Sequence, residues 1–115
     1  MDIKLVVDND GIREVDRNKL AKIYFLVDGV AFPEEEWVDF KDILPWWENA
    51  LLASDSQSVL TLHFKDGPYK IKCLRSDGDQ MRVEFLKETL AKDVLILKGN
   101  TTFSTFIELI RVNKR

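Results

Sequence analysis

The residues that could do chemistry are few. A chain of 115 residues with one histidine, His63, and one cysteine, Cys73, contains no CxxC, no HExxH, no glycine-rich phosphate loop and no nucleophile elbow. Zinc is held by several Cys, His or carboxylate ligands, and His63 has no second histidine or cysteine on its side of the strand it falls in. Cys73 lies on the apolar side of an alternating stretch, where a free cysteine behaves as a small hydrophobe. This inventory designates no catalytic residue, no metal ligand and no cofactor.

What remains is concentrated in residues 32–52, FPEEEWVDFKDILPWWENALL, which hold all three tryptophans and two of the three prolines. Glu34, Glu35, Glu36, Asp39 and Asp42 could supply a carboxylate pair for acid-base work or for a divalent cation. Consecutive glutamates point in different directions, however, and none stands in an obviously apolar pocket that would shift its pKa. The plainer reading is a solvated loop whose aspartates, Asp39 or Asp42, cap a helix. A partner surface is the second reading. Tryptophan is enriched at interface hot spots, and with Trp47 on the apolar side of its helix, Trp46 is the one placed at a rim. Glu34, Glu35, Glu36, Asp39 and Trp46 are therefore the candidate partner-binding residues.

The bulk properties bound the class. At 45% hydrophobic and 32% charged residues, the composition is that of a globular chain. Its length fits a single domain over residues 1–115, with a core that needs no disulfide or metal staple. Acidic residues exceed basic ones by 20 to 17, a net charge of −3, which disfavours a general nucleic-acid binder. No uncharged apolar run reaches the roughly 18 residues of a membrane span. A lone cysteine and a start lacking a basic, apolar leader lead to the expectation of a cytoplasmic protein.

The elements that must position these residues follow from periodicity. Four Asp-Gly pairs, at Asp10-Gly11, Asp28-Gly29, Asp66-Gly67 and Asp77-Gly78, predict hairpins, because such turns require positive φ. Residues 3–8 alternate as a strand and 12–15 return as a second, across Asn9-Asp10-Gly11. Residues 22–27 form the next, and 30–32 return after Asp28-Gly29. Pro45 cannot sit in a helix interior without loss of a backbone bond, so residues 34–44 are a turn with at most one irregular helical turn. A short helix then starts near Pro45, with Phe40, Leu44, Trp47 and Leu51 on one side.

Residues 59–86 give two linked hairpins. Across Asp66-Gly67, Leu60 faces Cys73, Leu62 faces Ile71 and Phe64 faces Tyr69. A three-residue Ser76-Asp77-Gly78 loop then sets Cys73 against Met81, Ile71 against Val83, Tyr69 against Phe85 and Arg75 against Asp79. The same register leaves Lys72 opposite Arg82 on an outward face that also gathers His63, Lys65 and Lys70. That face is most simply the wet side of an antiparallel sheet. Residues 94–98 read as a further strand and 99–102 as a break with N-cap residues. Phe103, Phe106, Ile107 and Ile110 then recur at helical spacing. The predicted fold is α+β: an antiparallel sheet of five to six strands built from hairpins, with two helices packed on one face.

Asp28-Gly29, Phe32-Pro33, Trp37, Asp39-Phe40, Trp46-Trp47 and later Phe64-Lys65-Asp66-Gly67-Pro68-Tyr69 resemble short uncharacterised bacterial proteins, some of which look like immunity proteins of polymorphic toxin systems. The resemblance covers the middle of the chain and brings no shared functional residue. It implies a stoichiometric protein-binding domain that masks a toxin, with a basic toxin domain as the fitting partner of the acidic surface. The alternative class is a small-ligand binder or enzyme with its site between helices and sheet, in which Asp39, Tyr24 or Tyr69 would line a cavity.

Overall fold

Each strand of this chain has one apolar side, and those sides have to be covered. The computed structural model describes the backbone of residues 1–15 and 18–114, and the side chains of residues 1–8 and 19–114. In chain order the described elements are β1 (Ile3–Val15), β2 (Asn18–Val27), β3 (Val30–Phe32), β4 (Val38–Phe40), α1 (Ile43–Ala53), β5 (Val59–His63), β6 (Tyr69–Arg75), β7 (Gln80–Glu88), β8 (Asp93–Thr102) and α2 (Phe103–Asn113).

The α+β class and the antiparallel hairpins are as expected, but the single sheet of five to six strands is not. Among the described residues, eight strands form two four-stranded sheets. In the first, β2 pairs with β1 along one edge and with both β3 and β4 along the other; the second has the order β5-β6-β7-β8. A simple area argument explains the division. An 11-residue helix is about 16 Å long and roughly 10 Å wide, so two of them cover less than half of a six-stranded face about 25 Å across and 30 Å long. The sheets bury one another's apolar sides instead. Ile23, Phe25 and Val27 from β2 share one core cluster with Ile71 and Cys73 from β6 and with Met81, Val83 and Phe85 from β7.

Phe25 is the centre of that cluster. It is fully buried, and its ring lies 5.9 Å from Trp47 of α1, 5.8 Å from Phe85 of β7 and 5.7 Å from Phe106 of α2. One side chain of the first sheet thus touches the second sheet and both helices. Phe32 extends the ring network toward the other end, 5.1 Å from Phe85 and 5.6 Å from Tyr69.

Helix α1 begins at Ile43, so Pro45 occupies its first turn, where the missing N–H is unneeded. It buries Ile43, Leu44, Trp47 and Leu51; Phe40, expected on the same helical face, belongs to β4. Trp47 Nε1 donates to the His63 carbonyl at 2.9 Å and pins the helix to the end of β5. At the other end, Arg75 Nη1 donates to the carbonyl and to the hydroxyl of Ser54, both at 3.0 Å. The Arg75 guanidinium lies 3.9 Å from the Phe103 ring centre. The start of α2 and the end of α1 are thereby tied through a single arginine.

The two helices are also clasped by charge. Glu48 accepts from Arg111 Nε at 3.0 Å and from Lys114 Nζ. These partners, Lys114 foremost, hold its carboxyl below the ordinary range. A depressed carboxyl stabilises the fold above its unfolded pKa, and that stabilisation is lost as pH falls through the folded value. Glu48→Gln is expected to remove this acid-side slope, read as the melting temperature of both proteins across the acid range; an unchanged slope would show that the clasp contributes nothing.

Three local expectations change. Residues 9–12 do not turn: β1 continues through them, with the register slipping between Asp8↔Lys22 and Arg13↔Leu20. The Asp28-Gly29 turn holds, with φ of 49° and 82°, and β3 returns as expected. The β5–β6 hairpin has the expected register, Leu60↔Cys73 and Leu62↔Ile71. The next hairpin keeps the expected facing but is displaced: Cys73 pairs with Val83, Ile71 with Phe85, Tyr69 with Lys87 and Arg75 with Met81. Its loop is Asp77-Gly78-Asp79, closed by Ser76 N–H to the Gln80 carbonyl at 3.1 Å. Asp79 is held at the start of α2, accepting from Phe103 N at 2.7 Å and, through its side chain, from Ser104 N at 3.1 Å. Satisfying the free N–H groups of a distant helix outweighs the local Arg75–Asp79 pair. Lys72 consequently faces Glu84, not Arg82.

Finally, residues 99–102 are not a break. β8 runs through them to Thr102, whose hydroxyl caps α2 by accepting from Thr105 N at 3.1 Å. Strand and helix therefore meet with no connecting loop.

Candidate functional site

The three tryptophans are used in three different ways. Trp47 is buried in the core. Trp37 is half-buried, with its ring 5.2 Å from Tyr69 in an edge contact and its Nε1 donating to Asp39 Oδ2 at 3.2 Å. Trp46, on the outer side of α1, is 49% exposed, and its indole N–H has no hydrogen-bond partner among the described residues. Trp46 is thus the exposed member of the Trp46-Trp47 pair, as expected.

Asp39 departs from its expected place. It lies in β4, not at a helix start, and is fully buried. Oδ1 accepts from Phe40 N at 2.7 Å, and Oδ2 accepts from Trp37 Nε1 and from Asp66 N at 3.1 Å. Burial raises its carboxyl above the ordinary value despite those three donors. A side chain so enclosed cannot touch a partner; it holds Trp37 and the backbone of Asp66 in place. The short sequence signal Trp-x-Asp is the mark of this arrangement, because residues two apart on a strand share a face.

Through Asp39 the loop after β5 is fastened beside the acidic stretch. Gly67 sits against Trp37, with φ of 80°, and a Cβ there would come within 2.8 Å of the ring. Two residues earlier, Lys65 reaches the other way, making an ion pair with Asp42 at 2.7 Å and lying 5.7 Å from the Trp46 ring centre. Residues 65–69 thus bridge Trp37 to Trp46. Lys65 and Asp42, 23 residues apart, are the members of this surface that periodicity could not associate. Asp42 occupies the N-cap position of α1 but makes no side-chain cap; its carboxylate goes to Lys65.

Glu34, Glu35 and Glu36 are all exposed. Glu36 adopts φ of 63° and pairs with Lys22 at 3.4 Å. Glu34 and Glu35 have no ion pair among the described residues. The site is therefore a surface corner made of two glutamates with no ion pair among the described residues, the Asp42–Lys65 pair and the exposed Trp46.

Comparison of the chain with protein-family models, curated proteins and solved structures gives no match.

The other candidates resolve into ordinary roles. Tyr69 packs between Phe32 and Trp37. Cys73 is buried, and burial pushes its thiol up to about 12. On the outward face of the second sheet, His63 is opposite Lys70 as expected. Lys70 is held between Glu88 at 3.0 Å and Asp93 at 2.9 Å, and Arg82 pairs with Glu84 at 3.4 Å. The basic patch is thus largely compensated. No helix among the described residues is long and apolar enough to cross a membrane.

Proposed function

We propose that this protein is a non-enzymatic protein-binding domain, and in its most specific form an immunity protein that neutralises a toxin domain of basic surface. The observation that supports the reading is Trp46. A large aromatic held half-exposed on a rigid helix, with its ring backed by the Lys65–Asp42 pair, has the character of an interface anchor. Glu34 and Glu35 have no internal partner to compete with an incoming cation, and like-signed exposed charges steer an oppositely charged partner into encounter. Asp39 contributes by fixing the loop on which Lys65 stands.

The test is capture of a partner from the native lysate by tagged protein, beside Trp46→Ala and a Glu34, Glu35, Glu36→Lys variant. Trp46→Ala is expected to weaken a stoichiometric complex by about 2 kcal/mol or more, roughly thirtyfold, without unfolding the domain. The charge-reversed protein is expected to associate more slowly and with altered salt dependence. A complex indifferent to Trp46 would place the interface elsewhere, and capture of nothing by the native protein would remove the immunity reading.

A further inference from the structure

The second sheet ends in an apolar run, Val94 to Leu97, of which only Leu97 packs against the core while the other three residues stay exposed. β8 is the last strand in the order β5-β6-β7-β8, so one of its backbone edges has no neighbouring strand among the described residues. Along it Val94, Leu95 and Ile96 are 38, 46 and 46% exposed. Edge strands are ordinarily blunted by proline or by charges set among the apolar residues. Here there is no proline, and the charges stand only at the two ends of the run, Asp93 and Lys98.

A bulge decides which way those ends face. The β7–β8 register slips between Phe85↔Leu97 and Leu86↔Leu95, leaving Ile96 as the extra residue. Directly paired residues share a face, and residues two apart along a strand do as well. Asp93 pairs with Glu88 and Lys98 with Glu84, so both lie on the outward face. Val94 pairs with Lys87 and Leu97 with Phe85, so both lie on the inward face. In a regular strand Asp93 and Lys98 would point to opposite sides. The bulge brings them to the same side.

We propose that β8 pairs antiparallel with β8 of a second copy of this chain, about a two-fold axis beside Leu95 and Ile96, joining two four-stranded sheets into one. In an isologous interface of this kind each contact occurs twice, and residues placed opposite one another must share a face. The bulged strand meets that condition: Asp93 of each copy stands opposite Lys98 of the other, and Val94 opposite Leu97. The charges are complementary only in this antiparallel sense. Lys98 is available for it, because Glu84, directly across β7, is taken by Arg82 at 3.4 Å and no acidic side chain among the described residues pairs with Lys98. Asp93 shares Lys70 with Glu88, which keeps that lysine at 3.0 Å if Asp93 turns outward. The surface is distinct from the Trp46 corner, so it does not depend on the function proposed above.

Sedimentation equilibrium on the purified protein tests the pairing. The native chain is expected to dimerise, and Ile96→Lys to be monomeric with an unchanged far-ultraviolet circular dichroism spectrum. Asp93→Lys alone and Lys98→Asp alone are each expected to weaken the dimer about tenfold or more at low salt, since each sets like charges opposite one another twice. An equimolar mixture of those two single variants is expected to recover a heterodimer, because the two charge patterns are then complementary. A native protein that stays monomeric at about 100 µM, above the micromolar range of specific interfaces, overturns the proposal. So does a dimer that Ile96→Lys leaves intact, or a mixture with no recovery.

Discussion

Phe25→Ala is expected to destabilise the protein by about 3–5 kcal/mol, the cost of removing a buried phenylalanine and leaving a cavity. The position is more demanding than an average core site. Its ring meets Trp47, Phe85 and Phe106, which belong to α1, β7 and α2, so no single element can shift to fill the space. Against a total of about 5–15 kcal/mol for a domain of this kind, the loss removes roughly a fifth or more, and the melting temperature should fall by roughly 10 °C or more. Phe25→Leu, which keeps most of the apolar volume, should cost about 1–2 kcal/mol. Equilibrium urea unfolding of the three proteins measures both; a Phe25→Ala loss below about 1 kcal/mol would mean that the two sheets and two helices do not share the core described.

The second large effect belongs to Asp39. Asp39→Ala is expected to cost about 2–4 kcal/mol, because the Trp37 indole N–H and the backbone N–H groups of Phe40 and Asp66 lose their acceptor together. The Trp37 indole proton resonance should move as well, which a simple cavity would not require. Asp39→Asn keeps the shape but offers one acceptor oxygen where two are used, and should fall between the native protein and the alanine variant. Its pH dependence carries the opposite sign from that of Glu48. Burial raises the Asp39 carboxyl in the folded state, so its contribution is fully present below the unfolded carboxyl pKa and is lost as pH rises through the folded value. The stability advantage of native protein over Asp39→Asn should therefore shrink on going from about pH 3 to about pH 7. An advantage that grows over that range would show that the three donors outweigh burial.

Both residues bear on the candidate surface. Phe25 seats Trp47, and thus α1, while Asp39 fixes the loop carrying Lys65; between them they set where Trp46 is displayed. Loss of binding in either variant would follow from displacement of the corner, which is why Trp46→Ala, on the exposed side, is the cleaner probe of contact.

Local pattern alone determined a good deal. The strict alternation of Leu60, Leu62 and Phe64 with a turn at Asp66-Gly67 specified the β5–β6 register, since a slip by one residue would turn every apolar side chain outward. The spacing of Phe103, Phe106, Ile107 and Ile110 specified α2. Pro45 specified that α1 could not begin much earlier, and Trp47 against Trp46 separated the buried ring from the exposed one. Periodicity of two states that a strand has one buried side, but not what covers it. The division into two sheets, the course of β1 through Asp10-Gly11 and of β8 through Gly99, and the displaced Asp77-Gly78-Asp79 loop were decided by tertiary structure. In most the deciding partner is remote in sequence: an opposing sheet, strand β7 for the end of β8, or the free N–H groups of α2 drawn to Asp79; for β1 it is the adjacent strand β2, whose first residues prolong the ladder. Asp39 shows the same division within one residue. Its type suited a helix cap, but Trp37 and Asp66 offered it donors inside the fold, and a carboxylate that finds three donors there can remain buried.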